Sequence, residues 1–326
     1  MSILSKPYFH DEKAAYTHLE GIIWGGNPVC PHCGNAGKVY ALEGVKSKPS
    51  KKNPEGKERI GLKKCGACRK QFTVTVGTVY ESSHIPLHKW LQATYLMCSS
   101  KKGISSLQIQ RTLEITYKSA WFVTMRIRKA MEDTSTDPMG GFGKIVEADE
   151  TYVGGKDKNK HANKRYTMGA GTGDKAPVFS LVERGGKVRS SHIQDRVTAK
   201  NLKPIIEKNV KQHTHLMTDS ATFYSSIAKD LPDHIGHSTV NHSAGEYVRD
   251  KIWHTNTVEN YFSILKRGIV GVFHHVSQQH LSRYIAEFDY RYNNREGLGI
   301  DDTTRTQMAL TGAKGKRLTY KQPITR

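Results

Sequence analysis

Two sets of residues in this chain have both the chemistry and the spacing to act. Four cysteines form two tight pairs, CPHC (Cys30, Cys33) and CGAC (Cys65, Cys68), with 31 residues between the pairs. Each knuckle points two sulfurs at one centre, and two knuckles supply four thiolates for one tetrahedral, structural Zn2+. The fifth cysteine, Cys98, sits in an apolar helical pattern and reads as a core thiol. The second set is acidic. In IVEADETYV (145–153), Glu147, Asp149 and Glu150 interrupt a run of strand formers that stops at Gly154-Gly155. The nearest following cation, Lys156, lies beyond the glycines, so no local ion pair offsets the acids. Burying unpaired charge is costly, and a bound metal is one way to pair it.

Two further acids have suitable positions. Asp219 closes HLMTDS (215–220), a strand pattern just before a helix. Glu259 lies in HTNTVENYFSILKRG, which reads as a helix beginning near Thr257. Lys266 follows it by seven residues, about two turns, and so projects from the same side. In strand geometry Asp149 shares a face with Glu147 and Ile145, while Ala148 and Glu150 face the other way. Asp149, Asp219 and Glu259 converging from two strands and a helix can hold two divalent ions, Mg2+ or Mn2+, for in-line phosphoryl transfer. Lys266 would then hold a nearby phosphate. Plainer roles stay open: Asp219 as a helix N-cap, Glu259 as a surface helix acid, Glu147 as a supporting partner and Glu150 as an outward acid.

The elements that must position these residues are legible as patterns. KVYAL and QFTVTVGTVY, with Phe72, Val74 and Val76 alternating, read as strands of a zinc ribbon, and the lysine-rich stretch 46–57 as an inserted hairpin loop. Residues 87–131 read as three helices. Leu87, Trp90, Leu91, Thr94, Tyr95 and Cys98 share one face of the first; Ala120, Val123, Ile127 and Ala130 stripe the third. Lys118, Arg126, Arg128 and Lys129 fall elsewhere on that third helix, the pattern of a DNA-binding helix-turn-helix. A Gly- and Pro-containing linker (134–143) follows. Beyond it three consecutive strands, then helix, strand and helix, give the order of an RNase H-like fold, an α/β domain whose mixed five-stranded sheet is flanked by helices. The expected organisation is a zinc ribbon with an N-terminal extension over 1–80, a helix-turn-helix over 81–133, the linker, the RNase H-like domain over 144–296, and a basic tail over 297–326.

Charge narrows the partner. Fifty Lys and Arg against thirty Asp and Glu leave a formal charge of +20, and the pI is about 9.7. Such a surplus favours double-stranded DNA or another polyanion through counterion release. The stretch 154–175 carries Lys156, Lys158, Lys160, Lys164 and Arg165 among glycines, and reads as an arm gripping DNA backbone. It lacks the GxxxxGK[ST] pattern of a P-loop. No apolar run is long enough for a membrane span and no secretory signal is apparent, which points to a cytoplasmic, nucleoid-associated protein. His274, His275 and His280 receive no assignment.

CPHC, KCGACRKQF, EADETYVGGK, TDSATFY, HTNTVENYFSILKRGIVGVFHHVS and EFDYRYNNR together resemble a group of bacterial insertion-sequence transposases. These are the DDE transposases with an N-terminal zinc ribbon, the fifteen-ninety-five insertion-sequence family. The similarity runs from about residue 15 to 296, with GKRLTY near the end also similar. It implies Asp149, Asp219 and Glu259 as the acids, Lys266 as the downstream basic residue, and Cys30, Cys33, Cys65 and Cys68 as zinc ligands. The activity implied is metal-dependent cleavage at terminal inverted repeats and 3′-hydroxyl strand transfer into target DNA. A dimer or larger assembly on DNA is implied as well.

Overall fold

The computed structural model describes residues 2–51, 53–155, 161, 175–230, 235–241, 248 and 252–319. The chain divides into two units. One comprises Met1–Glu132 with Glu296–Arg326, and the other Asp133–Arg295.

In the first unit, helix α1 (Glu12–Trp24) begins where the Asp11 carboxylate accepts the Ala14 N–H and ends where Gly25 turns to φ +58°. Three short antiparallel strands follow in the order β1 (Val39–Ala41), β2 (Lys63–Cys65) and β3 (Gln71–Phe72). The lysine-rich stretch is a hairpin excursion between β1 and β2, closed by Ser47 N–H to Lys57 O at 2.8 Å and Arg59 N–H to Val45 O at 2.8 Å. The long strand expected through Val76 stops at Phe72. From there the chain turns, with Val76 N–H on Thr73 O and Thr78 N–H on Thr75 O. Val74 is buried in that turn, so apolar alternation here records one-sided burial without a ladder.

Three helices then match their patterns: α2 (Leu87–Ser99), α3 (Ser106–Leu113) and α4 (Tyr117–Met131). Helix α2 buries Leu87, Trp90, Leu91, Thr94 and Cys98 among others. Between α3 and α4, Glu114 takes φ +50° and Thr116 caps α4 through the Ser119 N–H. The segment expected as a basic tail instead carries helix α9 (Asp302–Thr311), started by Asp301 accepting the Thr304 N–H. It buries Arg305, Thr306, Ala309 and Leu310. Arg305 reaches across to the Cys98 carbonyl at 2.9 Å, which ties α9 to α2. Its core partners lie about 200 positions earlier, and so the surrounding basic composition concealed it.

In the second unit, five strands form one mixed sheet in the order β6-β5-β4-β7-β8. They are β4 (Ile145–Val153), β5 (Ala176–Glu183), β6 (Val188–His192), β7 (His215–Asp219) and β8 (Gly236–Val240). The pairs β4/β5 and β5/β6 are antiparallel, and β4/β7 and β7/β8 are parallel. Helices α5 (Ala199–Asn209) and α6 (Thr222–Asp230) cover one face, packing Leu202, Ile206, Tyr224 and Ile227 on Val146, Ala148, Phe179 and Leu181. Helices α7 (Asn256–Gly268) and α8 (Gln278–Asn293) belong to the other face, where Ser190 of β6 bonds Tyr261 of α7 and Asp289 of α8. Val146 and Ala148 therefore point toward α5 and α6, which leaves Ile145, Glu147 and Asp149 toward α7. The linker is anchored in this unit. Met139 is buried in the α5/α6 core and trades backbone bonds with Asn209 and Lys211. Next to it Gly140 takes φ +86°, and a Cβ there would meet Thr214 Oγ1 at 2.4 Å, so glycine is required. Among the described residues, no helix is long and apolar enough to cross a membrane.

Candidate functional site

The four sulfurs of Cys30, Cys33, Cys65 and Cys68 lie within 4.8 Å of one another. Cys30 Sγ is 3.7 Å from Cys68 Sγ, and Cys33 Sγ is 3.6 Å from Cys65 Sγ. A tetrahedron with Zn–S bonds of about 2.3 Å has edges of about 3.8 Å, so the donors already stand where zinc needs them. The second knuckle turns its amides toward the metal position. The Cys68 and Ala67 N–H groups draw the Cys65 thiol down to about 7, toward the thiolate that binds zinc. Cys30, Cys65 and Phe72 form a small buried cluster, with Trp24 edge-on to Phe72. Cys98 is buried in α2, outside this group.

The acids come together by register. Along β4 and β7 the parallel pairs are Ile145–His215, Val146–Leu216 and Glu147–Met217. Carried two residues further on both strands, the same register sets Asp219 beside Asp149. Burial pushes the Asp149 carboxyl up to about 8, helped by the charges of Glu150, Asp219 and Glu259 and opposed by the Glu150 N–H. That N–H lies 2.7 Å from Asp149 Oδ1. Asp219 is not the N-cap considered for it: its Oδ1 accepts the Ala221 N–H at 3.0 Å, ahead of the first residue of α6. Glu259 is exposed in the first turn of α7, with the Thr255 hydroxyl donating to it at 3.3 Å. Lys266 is exposed in the last turn of the same helix. Among the described residues the cysteines are the one metal-type cluster closed to 4.8 Å, so the three acids stand further apart than the sulfurs.

Two neighbouring acids have definite partners that the sequence left open. Glu150 does not face outward to solvent. It is half-buried on the α6 side, where Tyr224 donates to its Oε2 at 2.8 Å. Glu147 is fully buried and its carboxylate is completely engaged: Oε2 accepts the N–H groups of Thr257 at 2.8 Å and Val258 at 2.9 Å. Its Oε1 accepts the Thr257 hydroxyl at 2.8 Å and Arg184 Nε at 2.6 Å. The other donors of Arg184 reach the carbonyls of Ile252 at 2.6 Å and His254 at 2.7 Å. The one available hint was that Glu147 and Asp149 share a strand face; nothing local points to Arg184 or Thr257.

The basic residues proposed to touch DNA divide sharply. Arg126 and Arg128 are not available to a partner, being 5% and 1% exposed. Arg126 donates through Nε to Leu318 O at 3.0 Å and through Nη1 to Val79 O and Glu81 O at 2.7 and 2.8 Å. Burial lowers its pKa, yet three carbonyls solvate the charge. From Val123 to Arg128 every residue of α4 is buried, and of the last two turns only Lys129 reaches solvent. A basic residue off the apolar stripe is therefore not solvent-facing there. Lys129 is partly exposed and ion-paired with Glu132. Lys118, in the first turn of α4, is exposed. Lys156, Lys158, Lys160, Lys164 and Arg165 lie outside the described residues.

Comparison with known proteins gives two matches to family models. An ISXO2-like transposase domain matches residues 140–293. A transposase zinc-ribbon domain matches residues 10–71. A curated relative from Halobacterium salinarum, named as an uncharacterized protein in transposable element ISH50, is 27% identical over 292 residues. That alignment covers 87% of this chain and 91% of the relative. Among solved structures, the Mos1 strand transfer complex aligns at 10% identity and a TM-score of 0.28, over 71% of this chain and 79% of the other. A pre-cleavage Mos1 transpososome aligns at 10% identity and a TM-score of 0.21, over 69% and 78%. Likenesses that distant leave the architecture to be read from the sheet order itself.

Proposed function

Because the chain belongs to the IS1595 family of insertion-sequence transposases, we propose that this DNA transposase binds the terminal inverted repeats of its element, cleaves there, and joins the freed 3′-hydroxyl to target DNA. The observation that carries the chemistry is the placing of three acids on neighbouring elements: Asp149 in the middle of β4, Asp219 at the end of the adjacent parallel strand β7, and Glu259 in the first turn of α7 over the same face. The sheet order, three antiparallel strands followed by two parallel ones across a helical crossover, supports an RNase H-like reading of the second unit.

The donor set fits hard divalent cations. Three carboxylates, from the middle of β4, the end of the adjacent β7 and the first turn of α7, supply oxygen ligands and negative charge, which Mg2+ or Mn2+ prefer. Held by Asp149, Asp219 and Glu259, such ions would supply the Lewis acidity that an in-line phosphoryl transfer needs. Asp149, whose carboxyl is raised to about 8, would have to give up its proton to serve as a ligand. Asp219 is held by the Ala221 N–H through one oxygen, which leaves the other free to orient toward the site. Lys266, two turns beyond Glu259, neutralises a phosphate of the bound strand.

The first unit supplies recognition. One zinc ion on Cys30, Cys33, Cys65 and Cys68 holds the ribbon together. Helices α2, α3 and α4, with a three-residue turn before α4, support a helix-turn-helix reading. Its DNA face is the N-terminal half of α4, led by Lys118. Two transposon ends must be held together for joining, so the working form is a dimer or larger assembly on double-stranded DNA, in the cytoplasm at the nucleoid.

A labelled-end assay in Mg2+ or Mn2+ tests the reading. Glu259→Gln keeps the helix but removes one charge, and is expected to bind ends normally while cleavage and joining fall by about 10²-fold or more. Near-wild-type joining by that variant overturns the assignment. Cut ends without joined products in the unaltered protein identify a nuclease instead.

A further inference from the structure

We infer that Glu147 is a positioning residue for the catalytic site, acting as an N-cap supplied from the sheet that sets the distance between Asp149 and Glu259. The inference rests on the reading of those two acids as ligands of a divalent cation. A helix leaves its first N–H groups without partners, and normally a side chain at the N-cap position satisfies one of them. Helix α7 does not use this device: the side chain of Thr255, at the N-cap position, gives no capping hydrogen bond. Its hydroxyl turns to Glu259 instead. The N–H groups of Thr257 and Val258 go to one oxygen of Glu147, 110 and 111 positions away in the chain.

The consequence is geometric. Glu147 and Asp149 are two residues apart on one face of β4, a separation of about 6.8 Å that the strand backbone holds rigidly. Val258, bonded to Glu147, is the residue before Glu259. The two acids are thus each fixed within two residues of the same carboxylate. A local cap would satisfy the same N–H groups without tying the first turn of the helix to β4. Here the helix is pinned at its first turn. Arg184 completes the clamp, since it pairs with Glu147 and also holds the carbonyls of Ile252 and His254 in the segment entering α7. A negative charge at the helix N-terminus is favourable in itself, and Arg184 neutralises it in an interior that would otherwise reject it. Glu147 has no oxygen left over for a metal, which separates its role from that of a ligand.

Mn2+ binding to the full-length, zinc-loaded protein tests this without DNA or turnover, with amide exchange at Thr257 and Val258 read alongside. Glu147→Gln loses part of the cap, and Thr257→Val loses only the hydroxyl bond while leaving the buried carboxylate paired, so it is the variant that keeps its fold. Thr257→Ser retains the hydroxyl. Expected are lost exchange protection in Glu147→Gln, Mn2+ affinity weakened about 10- to 100-fold there and less in Thr257→Val, and near-normal affinity in Thr257→Ser. Loss of thermal stability with unchanged Mn2+ affinity in both Glu147→Gln and Thr257→Val would show a purely structural cap and overturn the inference. Unchanged Mn2+ binding in Asp149→Asn and Glu259→Gln would instead overturn the active-site reading beneath it.

Discussion

Tyr224 donates its hydroxyl to Glu150 at 2.8 Å on the face of β4 opposite Asp149, so each face of this strand carries an acid with its own environment. Burial raises the Glu150 carboxyl, and the Tyr224 bond opposes that rise. Tyr224 is itself buried, and its phenol stays protonated well above the ordinary range. Tyr224→Phe removes the donor without opening a cavity and leaves the half-buried Glu150 carboxylate without it. Destabilisation of about 1–3 kcal/mol is expected, read as a lower urea midpoint at constant slope. An unshifted midpoint would mean that water replaces the phenol.

Metal binding should depend on pH through Asp149. Its carboxyl is raised to about 8 in the folded protein from the ordinary 3.8. Below the ordinary value both folded and unfolded chains hold this proton, and the stabilising contribution is complete. Between there and about 8 the unfolded chain has shed it while the native protein keeps it, so the metal-free second unit loses stability as pH rises through that window. A cation requires the carboxylate, and binding must therefore expel the proton. The apparent Mn2+ affinity is expected to climb by about tenfold per pH unit up to about 8 and then level. Calorimetric titrations across that range, with Asp149→Asn as the control that binds weakly throughout, are the check.

Zinc content should follow the four sulfurs as a unit. Cys65→Ser removes the thiol already drawn toward ionisation and is expected to leave the chain without its single ion and the ribbon unfolded. Because the second unit has its own core, its denaturation should be unchanged. Elemental analysis showing about one zinc per chain in this variant would falsify the four-thiolate assignment.

Arg126 and Lys118 should behave in opposite ways. Arg126→Ala strips the donor from the carbonyls of Leu318, Val79 and Glu81 and is expected to destabilise the first unit by about 1.5–3 kcal/mol. Where that variant remains folded, its DNA affinity should keep the normal salt dependence. Lys118→Ala should leave stability within about 0.5 kcal/mol and reduce the salt slope of DNA binding by about 0.9. Isotherms over a salt series separate the two, and a slope lowered by Arg126→Ala alone would mean that α4 docks through its buried half.

What this sequence determined by itself was whatever a short stretch of chain can encode. The zinc ligands were legible because a CxxC knuckle brings its sulfurs together within four residues. The acids stood out as candidates because Glu147, Asp149 and Glu150 break a strand pattern, and because Asp219 and Glu259 each stand at the edge of an element whose period is visible. Tertiary structure decided everything that depends on a distant partner. Whether Arg126 meets solvent or three carbonyls depends on Val79 and Leu318. Whether 302–311 is tail or helix depends on α2. Whether Glu147 is a ligand or a cap depends on helix α7 arriving from 110 positions away. A buried charge takes its role from the groups that solvate it in the interior, and those groups become neighbours only when the chain has folded.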